Sequence, residues 1–169
     1  MIERSSRRIS GRRLAAVAES LLEASTLCAI ATADRAGRPH VNTAYFAWMP
    51  DWRVVWLSDP GAKHSRNLDR RPAAAIAVYD SHQEWGKPDR GIQLFGRSVR
   101  PGRDARAAYE ARFPTRDVDV GVYRLYELRA RTLKLFDEEA LGGGTFVTAR
   151  VRGGRLEWVR TDVYRQRTT

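Results

Sequence analysis

The spacing of apolar and polar positions changes period several times along the chain, and each change marks a structural element. Leu14, Val17, Leu21 and Leu22 recur at three- and four-residue steps, which puts one apolar stripe on a helix of about four turns, capped by Ser10 and ending near Ser25. Thr26–Ala33 is then a continuous apolar run. The turn chemistry of Asp34-Arg35-Ala36-Gly37-Arg38-Pro39 leads into a second run, His40–Met49, so the pair predicts a β-hairpin. Val54–Ser58 adds a third strand after the turn at Pro50-Asp51, with connections too short for a parallel crossover. A short helix over Ala62–Arg70 stops before Pro72, and strands are expected at Ala73–Tyr79 and Gly91–Val99, joined by the loop Asp80–Arg90.

Pro101 and Gly102 end that strand, and Asp104 to Arg112 has helical composition closed by Phe113-Pro114. Val118–Leu128 and Thr132–Phe136 read as two further strands. Gly142-Gly143-Gly144 reads as a flexible hinge, since no GK[ST] follows to make it a phosphate loop. Thr145–Val151 and Leu156–Val159 read as a last hairpin around Gly153-Gly154. The whole predicts a mainly β fold with flanking helices, a six-stranded antiparallel barrel. Residues 1–9 are polar and arginine-rich and are expected to be a mobile arm, with one domain over residues 10–169.

Composition adds bounds rather than a function. The chain has 169 residues, 43% of them hydrophobic, enough for one proper core. Its net charge is +10, and all but three of the 30 basic residues are arginine, scattered along the length. A basic surface attracts nucleic acid or acidic ligands, yet no zinc finger, helix-turn-helix or aromatic RNA-binding signature accompanies it, which argues against nucleic acid. The single cysteine, Cys28, is expected to pack in a strand. His40, His64 and His82 lack metal-ligand spacing, so no structural metal is expected. No apolar run approaches the ~20 residues that span a bilayer. Ser6-Arg7-Arg8 before an apolar stretch resembles a twin-arginine export signal, but Glu19 and Glu23 interrupt that stretch, and a cytoplasmic protein is expected.

The stretch most suggestive of chemistry is VVWLSDPGAKHSRNLDRRP, Val54–Pro72. A buried strand ends in Ser58, Asp59-Pro60-Gly61 reverses the chain, and a helix starts with Lys63, His64 and Ser65. Free N–H groups and the positive end of the helix dipole favour an anion there, and Lys63, His64, Ser58 and Ser65 supply matching donors. A solvated strand-turn-helix with no ligand is the competing reading.

Taken in order, CAIATADRAGRPHVNTAYFAW, VVWLSDPGAKHSRNLDRRPAAAIAVYD and GIQLFGRS resemble the flavin-binding split-barrel family that includes pyridoxamine 5′-phosphate oxidase, over about Leu14 to Phe136. The resemblance implies FMN bound in a cleft between two subunits of a homodimer, with its phosphate at the turn after Ser58. Lys63 and His64 match the family's two basic positions at the helix start. Asn42, Thr43 and Ala44 lie where the family's strand faces the isoalloxazine ring, Gln93 lies on the strand that approaches it, and Trp85 could cover it. The family's oxidases carry arginine at the position of Asn42, lysine at that of Ala47 and two strong bases where this chain has Lys63 and His64. Their Arg- and His-rich carboxy-terminal segment is not recognisable in FDEEALGGGTFVTARV. The implied function is thus an FMN-dependent oxidoreductase with an unidentified small-molecule substrate other than pyridoxamine phosphate and no side chain assigned to catalysis. The alternatives are a deazaflavin- or haem-binding split barrel and a non-enzymatic flavin-binding or nucleic-acid-binding module.

Overall fold

A computed structural model of the chain describes residues 1–80, 82–114 and 121–165. Among the described residues, nine strands and four helices run in the order β1 (Ile2–Ser5), α1 (Gly11–Glu23), β2 (Leu27–Ala33), β3 (Pro39–Met49), β4 (Arg53–Ser58), α2 (Lys63–Arg70), β5 (Ala73–Tyr79), β6 (Arg90–Val99), α3 (Arg103–Arg112), β7 (Arg124–Asp137), α4 (Glu138–Leu141), β8 (Thr145–Arg152) and β9 (Arg155–Tyr164). Strands β7, β4, β3, β2, β5 and β6 are neighbours in that order, and β6 pairs back onto β7, which closes a six-stranded antiparallel barrel. Beyond β7, the sheet continues through β8 and β9 to β1 at the edge.

The helix at the start forms as its spacing predicts. Ser10 accepts a hydrogen bond from the Arg13 amide, and Leu14, Val17, Ala18, Leu21 and Leu22 are the buried stripe. They join Ile30, Phe46, Val54, Trp56, Ile76, Leu94, Leu128 and Leu133 in one core inside the barrel. A smaller cluster of Ala47, Met49, Val55 and Leu125 lies on the other face of β3, β4 and β7, covered by Ala105 and Tyr109 of α3. The guanidinium of Arg112 reaches back to the carbonyls of Leu22 (3.2 Å) and Ser25 (2.8 Å), satisfying the exposed end of α1.

Three expectations change. Residues 1–9 are not simply a mobile arm, because Ile2–Ser5 pair in register with Tyr164–Thr161 of β9; a four-residue polar edge strand carries no periodic signal. The strands expected at 118–128 and 132–136 form one strand, β7, from Arg124 to Asp137, with a bulge opposite Phe95/Gly96; residues 118–120 lie outside the described residues. Gly142–Gly144 is a hydrogen-bonded turn that ends α4: Gly142 N–H donates to Glu138 O, Gly144 N–H to Glu138 Oε1, and Gly144 O accepts from Tyr164 N–H. Positive φ at Gly142 (103°) and Gly144 (62°) is the reason for glycine there.

Candidate functional site

Strand β4 delivers Ser58 at the end of its buried run, and α2 begins five residues later. Asp59 organises the connection: its Oδ1 accepts from the Gly61 amide (2.7 Å), and its carbonyl accepts from the Ala62 amide and from Ser65 Oγ (2.7 Å). Helix α2 has no side-chain cap at Ala62 and no acidic residue in its first turn. Lys63 therefore stands exposed, without a hydrogen-bond or ion-pair partner among the described residues, at the end of a helix whose dipole repels it.

His64 departs from its expected role. It points into the barrel, 2% exposed, with Nε2 hydrogen-bonded to Ser58 Oγ at 2.8 Å. Its ring stacks on that of His40 at 6.3 Å and meets Tyr126 edge-on at 6.5 Å. Burial pushes its pKa down, and the neighbouring His40 pushes it further the same way. Its charged form is thus disfavoured, and His64 is an oriented partner of Ser58. Helix α2 is fixed against the barrel by Asn67, whose Nδ2 donates to Thr32 Oγ1 at 3.0 Å. His40, Thr32 and Tyr126 have no role in the sequence reading; His40 is the one with a signal, standing two residues before Asn42 in the same turn-strand segment. Trp56 and Tyr126 stack at 5.7 Å, and Trp56 Nε1 and Tyr126 Oη are both buried without a hydrogen-bond partner among the described residues.

The three consecutive positions Asn42, Thr43 and Ala44 cannot share one task, because successive residues of a strand face opposite ways. Asn42 and Ala44 pair with Ile30 and Cys28 and face inward; the Asn42 side chain donates to the Thr43 carbonyl at 3.0 Å. Thr43 faces out. It pairs with Ala29, Ala29 with Ala77, and Ala77 with Gln93, so Thr43, Ala29, Ala77 and Gln93 form one row across β3, β2, β5 and β6. Its flanking row, Val41, Ala31, Ala75 and Phe95, is also small at the centre. This outer face is an alanine shelf about 15 Å wide between Thr43 and Gln93, rimmed by exposed Leu27, Val41, Tyr45, Tyr79 and Phe95. Trp85 does not cover it within the chain: it is fully exposed in the loop before β6, with no ring contact among the described residues.

A second feature is a groove of about 670 Å³ lined by Pro60, Arg100, Arg103, Arg106 and Arg124. It continues past Arg100 and Arg124 to Leu68 and Tyr126, and so reaches from α3 to the neighbourhood of His64. Cys28 is buried, its thiol pushed up to about 12 by that burial against the opposing Ala44 backbone hydrogen bond, which makes it a packing residue. Among the described residues, no group of three metal-ligating side chains converges, and no helix is long and apolar enough to cross a membrane.

Residues 14–132 match the family model described as pyridoxamine 5′-phosphate oxidase. No curated protein matches the chain. Among solved structures, a heme binding protein from Mycobacterium smegmatis is similar at 21% identity and TM-score 0.63, over 91% of this chain and 59% of that one. A Clostridium acetobutylicum protein of the pyridoxinephosphate oxidase family, related to general stress protein 26, is similar at 13% identity and TM-score 0.62, over 85% and 97%. An F420 reductase is similar at 23% identity and TM-score 0.52, over 68% and 94%. At these identities the likeness to solved structures is one of fold.

Proposed function

The chain belongs to the pyridoxamine 5′-phosphate oxidase family, and on that premise we propose that it is an FMN-dependent oxidoreductase acting on a small molecule. The observation that carries this reading is the uncapped, acid-free start of α2 with Lys63 unpaired beside the end of β4. Three consecutive amides at a helix start, Lys63 Nζ and the Ser58 hydroxyl form a donor set suited to a phosphate monoester. Ser65, whose Oγ already donates to Asp59 O, contributes its backbone amide, and His64 holds Ser58 in place rather than meeting the anion.

When bound, FMN supplies the hydride-accepting and hydride-donating chemistry. The chain's part is to position and shield. The alanine shelf offers a flat surface on which a ring can lie between Thr43 and Gln93, and the Gln93 amide can both donate to and accept from polar ring edges. Asn42 and Ala44, facing inward, support the shelf from behind. The apolar rim of Leu27, Val41, Tyr45, Tyr79 and Phe95 is contiguous with the shelf, and in this reading a second copy of the chain covers it, forming a homodimer whose partner loop brings Trp85 over the ring.

A deazaflavin such as F420 is the second reading. The groove of Arg100, Arg103, Arg106 and Arg124 favours it, since that groove starts at Pro60, beside the phosphate turn, and suits an acidic tail running on from there. Haem has no comparable support among the described residues. The test is titration of purified protein with FMN and with F420 by flavin absorbance and fluorescence, with light scattering of the same samples. Saturable FMN binding by a dimer supports the proposal; exclusive F420 binding replaces FMN with the second reading; no binding of either overturns both.

A further inference from the structure

At the opposite end of β4 from Ser58, the sheet register assembles a charge pattern that the cofactor reading does not use. Arg53 pairs directly with Arg129, and Arg129 pairs directly with Arg97. Three arginines thus stand in one row on the same face of three adjacent strands, β4, β7 and β6. Directly opposed like charges in a sheet are destabilising, so the row needs counter-charge.

The counter-charge present is unevenly spread. Arg53 is well supplied: its Nε meets Asp51 at 2.7 Å, its Nη2 meets Asp104 at 2.6 Å, and Glu127 lies 3.7 Å from Nη1. Among the described residues, Arg129 has only Glu127, at 3.5 Å. Arg97 and Arg131 have no ion-pair partner among the described residues. Glu127 is 1% exposed, and neither carboxylate oxygen accepts a hydrogen bond in full geometry. Two guanidiniums, those of Arg53 and Arg129, therefore share one buried carboxylate, and among the described residues Arg97, next in the row, has none. The bulge adds the fourth arginine. Phe95 pairs with Thr132 and Gly96 with Ala130, so Arg131 is the extra residue, left outside the ladder. All four arginines line one open cavity of about 580 Å³, lined also by Asp51, Val151 and the Gly153-Gly154 turn.

We infer that this cavity is a second ligand site, for a compact polyvalent oxyanion bridged by Arg97, Arg129 and Arg131. Planar guanidiniums that line one cavity from adjacent strands suit the oxygens of a diphosphate or a tricarboxylate, and each charge-assisted pair favours a ligand with more than one anionic group. No aromatic side chain lines the cavity, so nothing there offers a platform for a nucleobase. Glu127 and Arg53 form the buried base that holds Arg129 in position. The site is separate from the cofactor turn: five residues of β4 put Arg53 about 17 Å from Ser58.

The experiment is isothermal titration of the full chain with pyrophosphate, citrate and orthophosphate at low salt. One pyrophosphate or citrate per chain is expected, bound at least tenfold tighter than orthophosphate; the stronger of the two identifies a phosphate or a carboxylate ligand. Arg97→Gln and Arg131→Gln, both at exposed side chains, are expected to weaken it at least tenfold each without lowering the melting temperature. Binding that persists in the double variant, binding lost instead in Lys63→Ala, or the absence of saturable binding would each overturn the inference.

Discussion

Replacing Lys63 by alanine separates a phosphate site from a scaffold helix. In the free protein the lysine is exposed, unpaired and placed at the positive end of α2. Its removal should therefore leave the fold intact and relieve an unfavourable charge-dipole contact worth about 0.3–1 kcal/mol. Any loss of ligand affinity then has the opposite sign to the effect on stability and cannot be blamed on unfolding. A charge-assisted contact to phosphate contributes about 1.5–3 kcal/mol, and solvent exposure of this ammonium puts it at the low end. At 1.36 kcal/mol per factor of ten, FMN affinity should fall about tenfold, and less as salt screens the pair. Riboflavin, which shares the ring and lacks the phosphate, should keep its affinity, because Lys63 is not on the alanine shelf. The assay is flavin fluorescence titration of both ligands against wild type and Lys63→Ala, alongside a thermal melt without ligand. Equal weakening of both ligands would refute the phosphate assignment; unchanged FMN affinity would show that α2 is scaffold.

Three other outcomes are expected. The lowered His64 pKa means that the unfolded chain binds the extra proton first, so stability should be full above the ordinary imidazole value of 6.5 and decline as pH falls below it; thermal melts should show this slope flattened in His64→Gln. Cys28→Ala should cost about 1 kcal/mol through lost packing, a fall of about 2–4 °C in melting temperature, with FMN affinity retained. Gly96→Ala should destabilise by about 1–3 kcal/mol or more by chemical denaturation, because its Cβ would meet the backbone carbonyl of Arg129 across the bulge; a neutral result would show that the strands do not approach there.

Local patterns determine much of this protein without any tertiary contact. The α1 stripe, the hairpin around Asp34–Pro39, the strand-turn-helix from Val54 to Arg70 and the β5–β6 pair all follow from periodicity and turn residues, because an element that buries one face must repeat at its own period. The ordered motifs also carried the family. Tertiary structure decided what pairing and burial decide. Residues 2–5 became a strand only because β9 offers an edge 156–162 residues away in the chain. His64, basic by type, became a buried partner of Ser58 because α2 packs its inner face on the barrel. Asn42 and Thr43, adjacent in sequence, were assigned to opposite faces by the pleat, and the Arg53–Arg129–Arg97 row exists only through the register of three strands. Sequence spacing reports which residues share an element's face, whereas charge environment and cross-strand neighbours depend on which distant segment fills the other side.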